Sequence, residues 1–123
     1  MFVVDDSSEI AECLAFVLRK NGFEAIAFNS PAKALTAAAS LSPDLLLTDL
    51  TMPEMDGVTL ARKLNKLHPS CRILMLSGMV REPSVYPDQD NFDWLEKPVT
   101  IRQLVAKVKE SLGSEGSEKE QAS

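Results

Sequence analysis

LLLTDLTMPEMDG, residues 45–57, runs from three leucines through a threonine into an aspartate, then meets Pro53 and the Asp56-Gly57 pair. Bulky uncharged residues bounded by turn formers read as a buried strand. A buried strand that ends on a carboxylate needs a reason, because an unpaired charge there costs several kcal/mol. Either Asp49 caps a loop and sees water, or it belongs to a site.

The flanking sequence shows how many such strands there are. Phe2-Val3-Val4 is a short apolar run that ends on Asp5-Asp6. Ser7 or Ser8 can cap a following helix, with Ile10, Leu14, Val17 and Leu18 on one face and Asn21-Gly22 as its stop. Residues 23–28 predict a second strand. Ser30-Pro31, a cap followed by proline at the first helical position, opens an alanine-rich helix that Ser42-Pro43 ends. Residues 44–50 are the third strand. Val58, Ala61, Leu64 and Leu67 then have helical spacing, up to His68-Pro69. Residues 72–76 predict a fourth strand before Ser77-Gly78, and residues 92–95 a fifth before Glu96-Lys97-Pro98. Thr100 to Gln103 has the form of a capping box. The last helix places Ile101, Leu104, Val105, Val108 and Leu112 on one stripe. Residues 113–123 are Gly, Ser and Glu without apolar periodicity, which predicts a disordered tail or linker after a domain over 1–112.

Strands alternate with helices, and the central strands are apolar throughout instead of alternating. That pattern predicts an α/β fold with a parallel sheet covered on both faces. Sites in such folds lie beyond the carboxyl ends of the strands. Those ends carry Asp5-Asp6, Asp49, Ser77 and Lys97. Alone, Asp5-Asp6 would read as a helix cap, Ser77-Gly78 as a turn and Lys97 as a solvated cation. Together on one edge they read as a site.

Composition narrows the function. The chain has 123 residues, 45% hydrophobic and 25% charged, with a net charge of −5. One domain with a real core is expected. The negative balance argues against non-specific nucleic-acid binding and against an anionic membrane surface. No apolar run reaches the roughly 18 residues of a membrane span, and no basic-then-apolar leader opens the chain. Cys13 and Cys71 are isolated and read as reduced thiols of a cytoplasmic protein. His68 reads as a loop residue, and Met52, Met55, Met75 and Met79 as gap fillers.

Carboxylates about 4 Å apart repel by about 4 kcal/mol at an effective dielectric near 20. A hard divalent cation relieves that repulsion, and Mg²⁺ takes one or two carboxylates and keeps several waters. Carboxylates with Mg²⁺ and a lysine suit phosphoryl transfer. Neither GxxxxGK[ST] nor GxGxxG occurs, so the phosphoryl group is expected without a bound nucleotide. A carboxylate can itself be the nucleophile and form an aspartyl phosphate.

The motifs VVDD at 3–6, TDLTMPEMDG at 48–57, LSG at 76–78 and WLEKP at 94–98 resemble the receiver domain of two-component response regulators. The resemblance covers residues 2–112. It implies a flavodoxin-like, CheY-like three-layer sandwich with five parallel strands in the order 2-1-3-4-5. Asp49 would be the phosphoacceptor. Asp6 and Asp49 would hold Mg²⁺ directly, with Asp5 acting mainly through water and the Thr51 backbone carbonyl as a further ligand. Lys97 would pair with the phosphoryl oxygens beside a cis peptide before Pro98. Ser77 would hydrogen-bond the phosphoryl group, and Trp94 stands at the aromatic switch position. The implied partner is a histidine kinase or a phosphotransfer histidine in a phosphorelay. Such a domain assists its own phosphorylation without being a turnover enzyme.

GMVREPSVYPDQDNFDW, residues 78–94, departs from that family. It is slightly short and contains Pro83 and Pro87, and proline inside a helix costs about 3 kcal/mol. The helix after the fourth strand is therefore expected to be short, displaced or absent, with irregular chain over residues 80–91. The family's usual dimer surface lies there, so dimerisation is not predicted. The combination of motifs also resembles receivers at the C-terminus of hybrid histidine kinases. A phosphorylation-independent interaction module with the same fold is the competing reading. A metal-dependent phosphatase is disfavoured, because Thr51 stands where aspartate-nucleophile phosphatases carry a second aspartate.

Overall fold

Five short parallel strands hydrogen-bond in the order β2-β1-β3-β4-β5 in a computed structural model that describes residues 1–78 and 92–122. Along the chain these are β1 (Phe2–Val4), α1 (Ser8–Lys20), β2 (Ile26–Phe28), α2 (Pro31–Ala38), β3 (Leu45–Asp49), α3 (Gly57–Leu67), β4 (Arg72–Ser77), β5 (Asp93–Glu96) and α4 (Ile101–Ala122). The expected α/β fold, its strand order and its parallel pairing are all present. β3 is the central strand, with Phe2 opposite Leu46 on one side and Leu46 opposite Ile73 on the other.

The apolar strands divide their side chains between two cores. Phe2, Val4, Leu46, Ile73 and Met75 pack with Ala34 and Ala38 of α2 and with Val58, Ala61 and Leu64 of α3. Val3, Leu45, Leu47, Leu74 and Leu76 pack with Ala15 and Leu18 of α1 and with Leu104 and Val108 of α4. Alternate strand residues thus serve opposite faces, which is why these strands lack a polar side.

Local chemistry sets the helix ends. Ser7, Ser30 and Asp56 cap α1, α2 and α3, each accepting from a backbone N–H three residues on. Gly22 takes a φ of 93° after α1. The Gly22 and Phe23 N–H groups donate to the Arg19 and Leu18 carbonyls at 3.1 and 3.0 Å, the paired bonds of a Schellman stop. Thr100 and Gln103 exchange hydrogen bonds at 2.9 and 3.0 Å, as the capping box requires.

Several expected faces differ. In α1 the buried residues are Ala11, Ala15 and Leu18, whereas Ile10 is 46% exposed. Alanine lets the helix axis lie close to the sheet, so Ala11 and Ala15 join Leu18 on the inner face. Leu67 and Ile101, each at the edge of a helix's expected stripe, are exposed as well. β2 begins at Ile26 and not at residue 23, because the α1 stop occupies the preceding residues. α4 runs on to Ala122, past Gly113 where a tail was expected. Glutamate and lysine there are good helix formers and no proline follows Pro98. Among the described side chains, Leu112 is the last apolar one against the core. The expectation for residues 80–91 lies outside the described residues.

Candidate functional site

The carboxyl edge of the sheet is where Asp5, Asp6, Asp49, Ser77 and Lys97 were expected to meet. β1 ends at Val4, so Asp5 and Asp6 leave the sheet at that edge. β3 ends on Asp49, and β4 beside it ends on Ser77. Register fixes their depth: Asp49 pairs with Leu76, and Ser77 with Glu96 of β5. The Lys97 N–H donates to the Ser77 carbonyl at 2.8 Å, holding the lysine at the mouth.

One carboxylate oxygen from each of Asp5, Asp6 and Asp49 lies within 4.8 Å of the others. Asp5 is 2% exposed. Its Oδ1 accepts from the Ser7 N–H at 2.9 Å, which ties the cluster to the cap of α1. Its Oδ2 is the one buried side-chain oxygen or nitrogen among the described residues that has no hydrogen-bond partner. Burial pushes the Asp5 carboxyl above its usual range, and the charges of Asp49 and Asp6 push the same way. The Ser7 N–H and Lys97 pull it back. Asp6 is exposed at the rim.

Lys97 Nζ donates to Asp49 Oδ1 at 2.7 Å, with the lysine side chain 36% and the aspartate 12% exposed. The peptide between Lys97 and Pro98 is cis. Gly57 closes the loop after β3: its N–H donates to the Leu50 carbonyl at 2.7 Å. A β-carbon there would overlap the Asp49 carbonyl oxygen and lie 2.7 Å from Met75 Sδ. The glycine is therefore needed for close approach.

An all-oxygen donor set with an orphaned buried carboxylate oxygen fits a hard divalent cation. Softer metals, which prefer thiolate or imidazole, have no matching ligand in it. Trp94 is half-buried and packs against the core shared by α2 and α3, two residues before the end of β5. Thr51 is exposed in the loop after Asp49. Cys13 and Cys71 are both free, far apart in burial, with Cys71 inside the core.

Comparison with known proteins agrees with this fold. The family described as response regulator receiver domain matches residues 1–109. The chain belongs to that family. It is 36% identical over 115 residues to the DNA-binding transcriptional regulator NtrC of Escherichia coli K12, covering 91% of this chain and 24% of NtrC. It is 35% identical over 114 residues to the DNA-binding response regulator MtrA of Mycobacterium leprae, covering 91% of this chain and 50% of MtrA. The chain thus spans a quarter to a half of these relatives. A CheY-like receiver domain from Methanospirillum hungatei superposes with a TM-score of 0.84 at 29% identity, covering 95% of each chain. This receiver therefore shares its fold with two-component signalling proteins. No helix among its described residues is long and apolar enough to cross a membrane.

Sequence reasoning missed the supports of the site. Ser30 was read only as a helix cap, but its hydroxyl also donates to Glu54 Oε1 at 2.9 Å. Asn29 donates to Ser8 Oγ at 2.9 Å. Neither contact has a sequence signal, because each joins residues more than 20 positions apart through exposed side chains.

Proposed function

We propose that this receiver accepts a phosphoryl group on Asp49 in a Mg²⁺-dependent reaction and that the modified state changes its surface contacts. The observation that carries the proposal is the Asp5, Asp6 and Asp49 cluster with Lys97 on Asp49. Asp49 Oδ1 is held by Lys97, so the carboxylate is oriented before any donor arrives. Its other oxygen is the proposed nucleophile. It would attack phosphorus as the bond to the donor's leaving group breaks, and the Lys97 ammonium and Ser77 hydroxyl would stabilise the transferring oxygens. Asp6, Asp49 and the Thr51 carbonyl would hold the cation, with Asp5 contributing through water. When bound, Mg²⁺ would neutralise the carboxylates and the charge that develops on phosphorus.

The proposed donor is the phosphohistidine of a sensor kinase or of a phosphotransfer domain, encountered in the cytoplasm. No nucleic acid is proposed to bind this domain alone. DNA binding is a property of NtrC and MtrA, whose further length this chain does not span. Their identity favours a place in a regulator of that kind over the end of a hybrid histidine kinase. Residues 1–112 are proposed as the signalling domain, since Leu112 packs on the core near the end of the described side chains.

Beryllofluoride, a phosphoryl mimic, tests the reading by thermal unfolding. A saturable rise in Tm that needs both Mg²⁺ and beryllofluoride, and is lost in Asp49→Asn, is expected. An unchanged Tm with both present would favour a phosphorylation-independent interaction module.

A further inference from the structure

The turn between β2 and α2 gives no carboxylate to the site, yet it reaches the start of α1, just after Asp5 and Asp6, and the loop that follows Asp49. Asn29 Nδ2 donates to Ser8 Oγ at 2.9 Å, in the first turn of α1 just beyond Asp5 and Asp6. Lys33 Nζ donates to Asn29 Oδ1 at 3.2 Å, which turns the amide nitrogen toward Ser8. Beside it, the Asp5 N–H donates to the Phe28 carbonyl at 3.1 Å. Ser30 Oγ donates to Glu54 Oε1 at 2.9 Å, in the middle of the loop that follows Asp49.

We infer that Asn29 and Ser30 form a positioning clamp that, through Ser8 and Glu54, holds the loop bearing Asp5 and Asp6 and the loop that follows Asp49 at the spacing a divalent cation requires. The inference rests on the proposed cation site. Mutual repulsion drives Asp5, Asp6 and Asp49 apart when no cation is bound. The loops beside them have short anchors of their own, the Ser7 N–H to the Asp5 carboxylate on one side and the Gly57 N–H to the Leu50 carbonyl on the other. Residues 51–56 lie between Leu50 and Gly57, and Glu54 ties that interval to a neighbouring helix cap. A loop already held in place loses less freedom when the cation binds, so the clamp raises affinity without touching the ion. Ser30 thus has two tasks, accepting from the Lys33 N–H as a cap and donating to Glu54 as a clamp.

The two tasks separate by substitution. Ser30→Gly removes the hydroxyl but keeps most of the capping preference. Glu54→Ala removes the acceptor, whereas Glu54→Gln keeps an acceptor and removes the charge. Two measurements on the full chain decide: the Mg²⁺ dissociation constant by calorimetry, and backbone hydrogen exchange over residues 50–57 in metal-free protein. Ser30→Gly and Glu54→Ala should each weaken Mg²⁺ binding roughly three- to tenfold and speed exchange in the loop. The double variant should be no worse than the weaker single, and Glu54→Gln should stay within about twofold of wild type. Asn29→Ala should speed exchange over residues 6–9 in the same way. Equal losses in Glu54→Gln and Glu54→Ala would overturn the clamp in favour of simple charge attraction. Unchanged exchange in both Ser30→Gly and Glu54→Ala would also overturn it. Absence of Mg²⁺ binding in wild type would instead refute the cation site, and the metal-free exchange data would still decide whether the clamp exists.

Discussion

Lys97 Nζ lies 2.7 Å from Asp49 Oδ1, joining residues 48 positions apart on two strand ends. The pair explains how a buried strand can end on a carboxylate: the aspartate is compensated by an ammonium and bordered by two more acids. In the proposed function the same ammonium faces the oxygens of a phosphoryl group on Asp49.

Removing that ammonium has a kinetic consequence. Lys97→Met should slow phosphoryl uptake from acetyl phosphate by roughly ten- to a hundredfold, the scale of losing one preorganised charge contact. Its effect on stability should be small, about 1 kcal/mol or less, because the lysine is partly exposed. Uptake at the wild-type rate would contradict the role given to Lys97. Stopped samples analysed by mass would measure it.

Asp5 gives a prediction with a definite pH sign. Burial, followed by the charges of Asp49 and Asp6, raises its folded pKa above 3.8. Its contribution to stability is therefore full below the unfolded value and is lost as pH rises through the folded one. At pH 7.5 metal-free Asp5→Asn should be more stable than wild type. The gap should close toward pH 4, and Mg²⁺ should stabilise wild type far more than the variant. Urea titrations with and without Mg²⁺ at the two pH values read both effects. A variant less stable than metal-free wild type at pH 7.5 would contradict the strain assigned to this carboxylate.

Gly57→Ala should destabilise the protein by about 1–3 kcal/mol, the range for overpacking a filled site. The added methyl would meet the Asp49 carbonyl and Leu50 Cα, which are backbone, as well as the Met75 sulfur. Because the first of these belongs to Asp49, a proposed ligand of the cation, Mg²⁺ affinity should fall too. Unchanged unfolding and unchanged Mg²⁺ binding would show that the loop yields freely.

The two thiols should react unequally. Cys13 is exposed on α1, while Cys71 is buried with its thiol pushed up to about 12, chiefly by burial. Iodoacetamide at pH 8 should label Cys13 in the native protein and Cys71 only in denaturant. Cys71 also contributes stability that is present below pH 9 and lost as pH rises toward 12. Cys71→Ala should flatten that alkaline fall. Native labelling of Cys71 at the rate of Cys13 would contradict its burial.

Much of the fold was legible because its signals are local. Apolar strands leading into Asp5, Asp49, Ser77 and Lys97 stated the sheet and the edge where these residues gather, and Ser30-Pro31 and Asn21-Gly22 placed helix ends. The buried face of α1 was not legible, because periodicity favoured Ile10 where close packing selects Ala11 and Ala15. Side-chain bridges such as Ser30 to Glu54 depend on tertiary placement alone and leave no pattern in the sequence. The extension of α4 past Gly113 was not legible either, because Gly and Ser over residues 113–117 suggested a tail.

Intact mass after incubation with acetyl phosphate and Mg²⁺ tests the central claim most directly. One added phosphoryl group on wild type is predicted, with none on Asp49→Asn and none when Mg²⁺ is chelated. An adduct that persists in Asp49→Asn, or no adduct on folded wild type that also fails to respond to beryllofluoride, would contradict phosphoryl acceptance at Asp49.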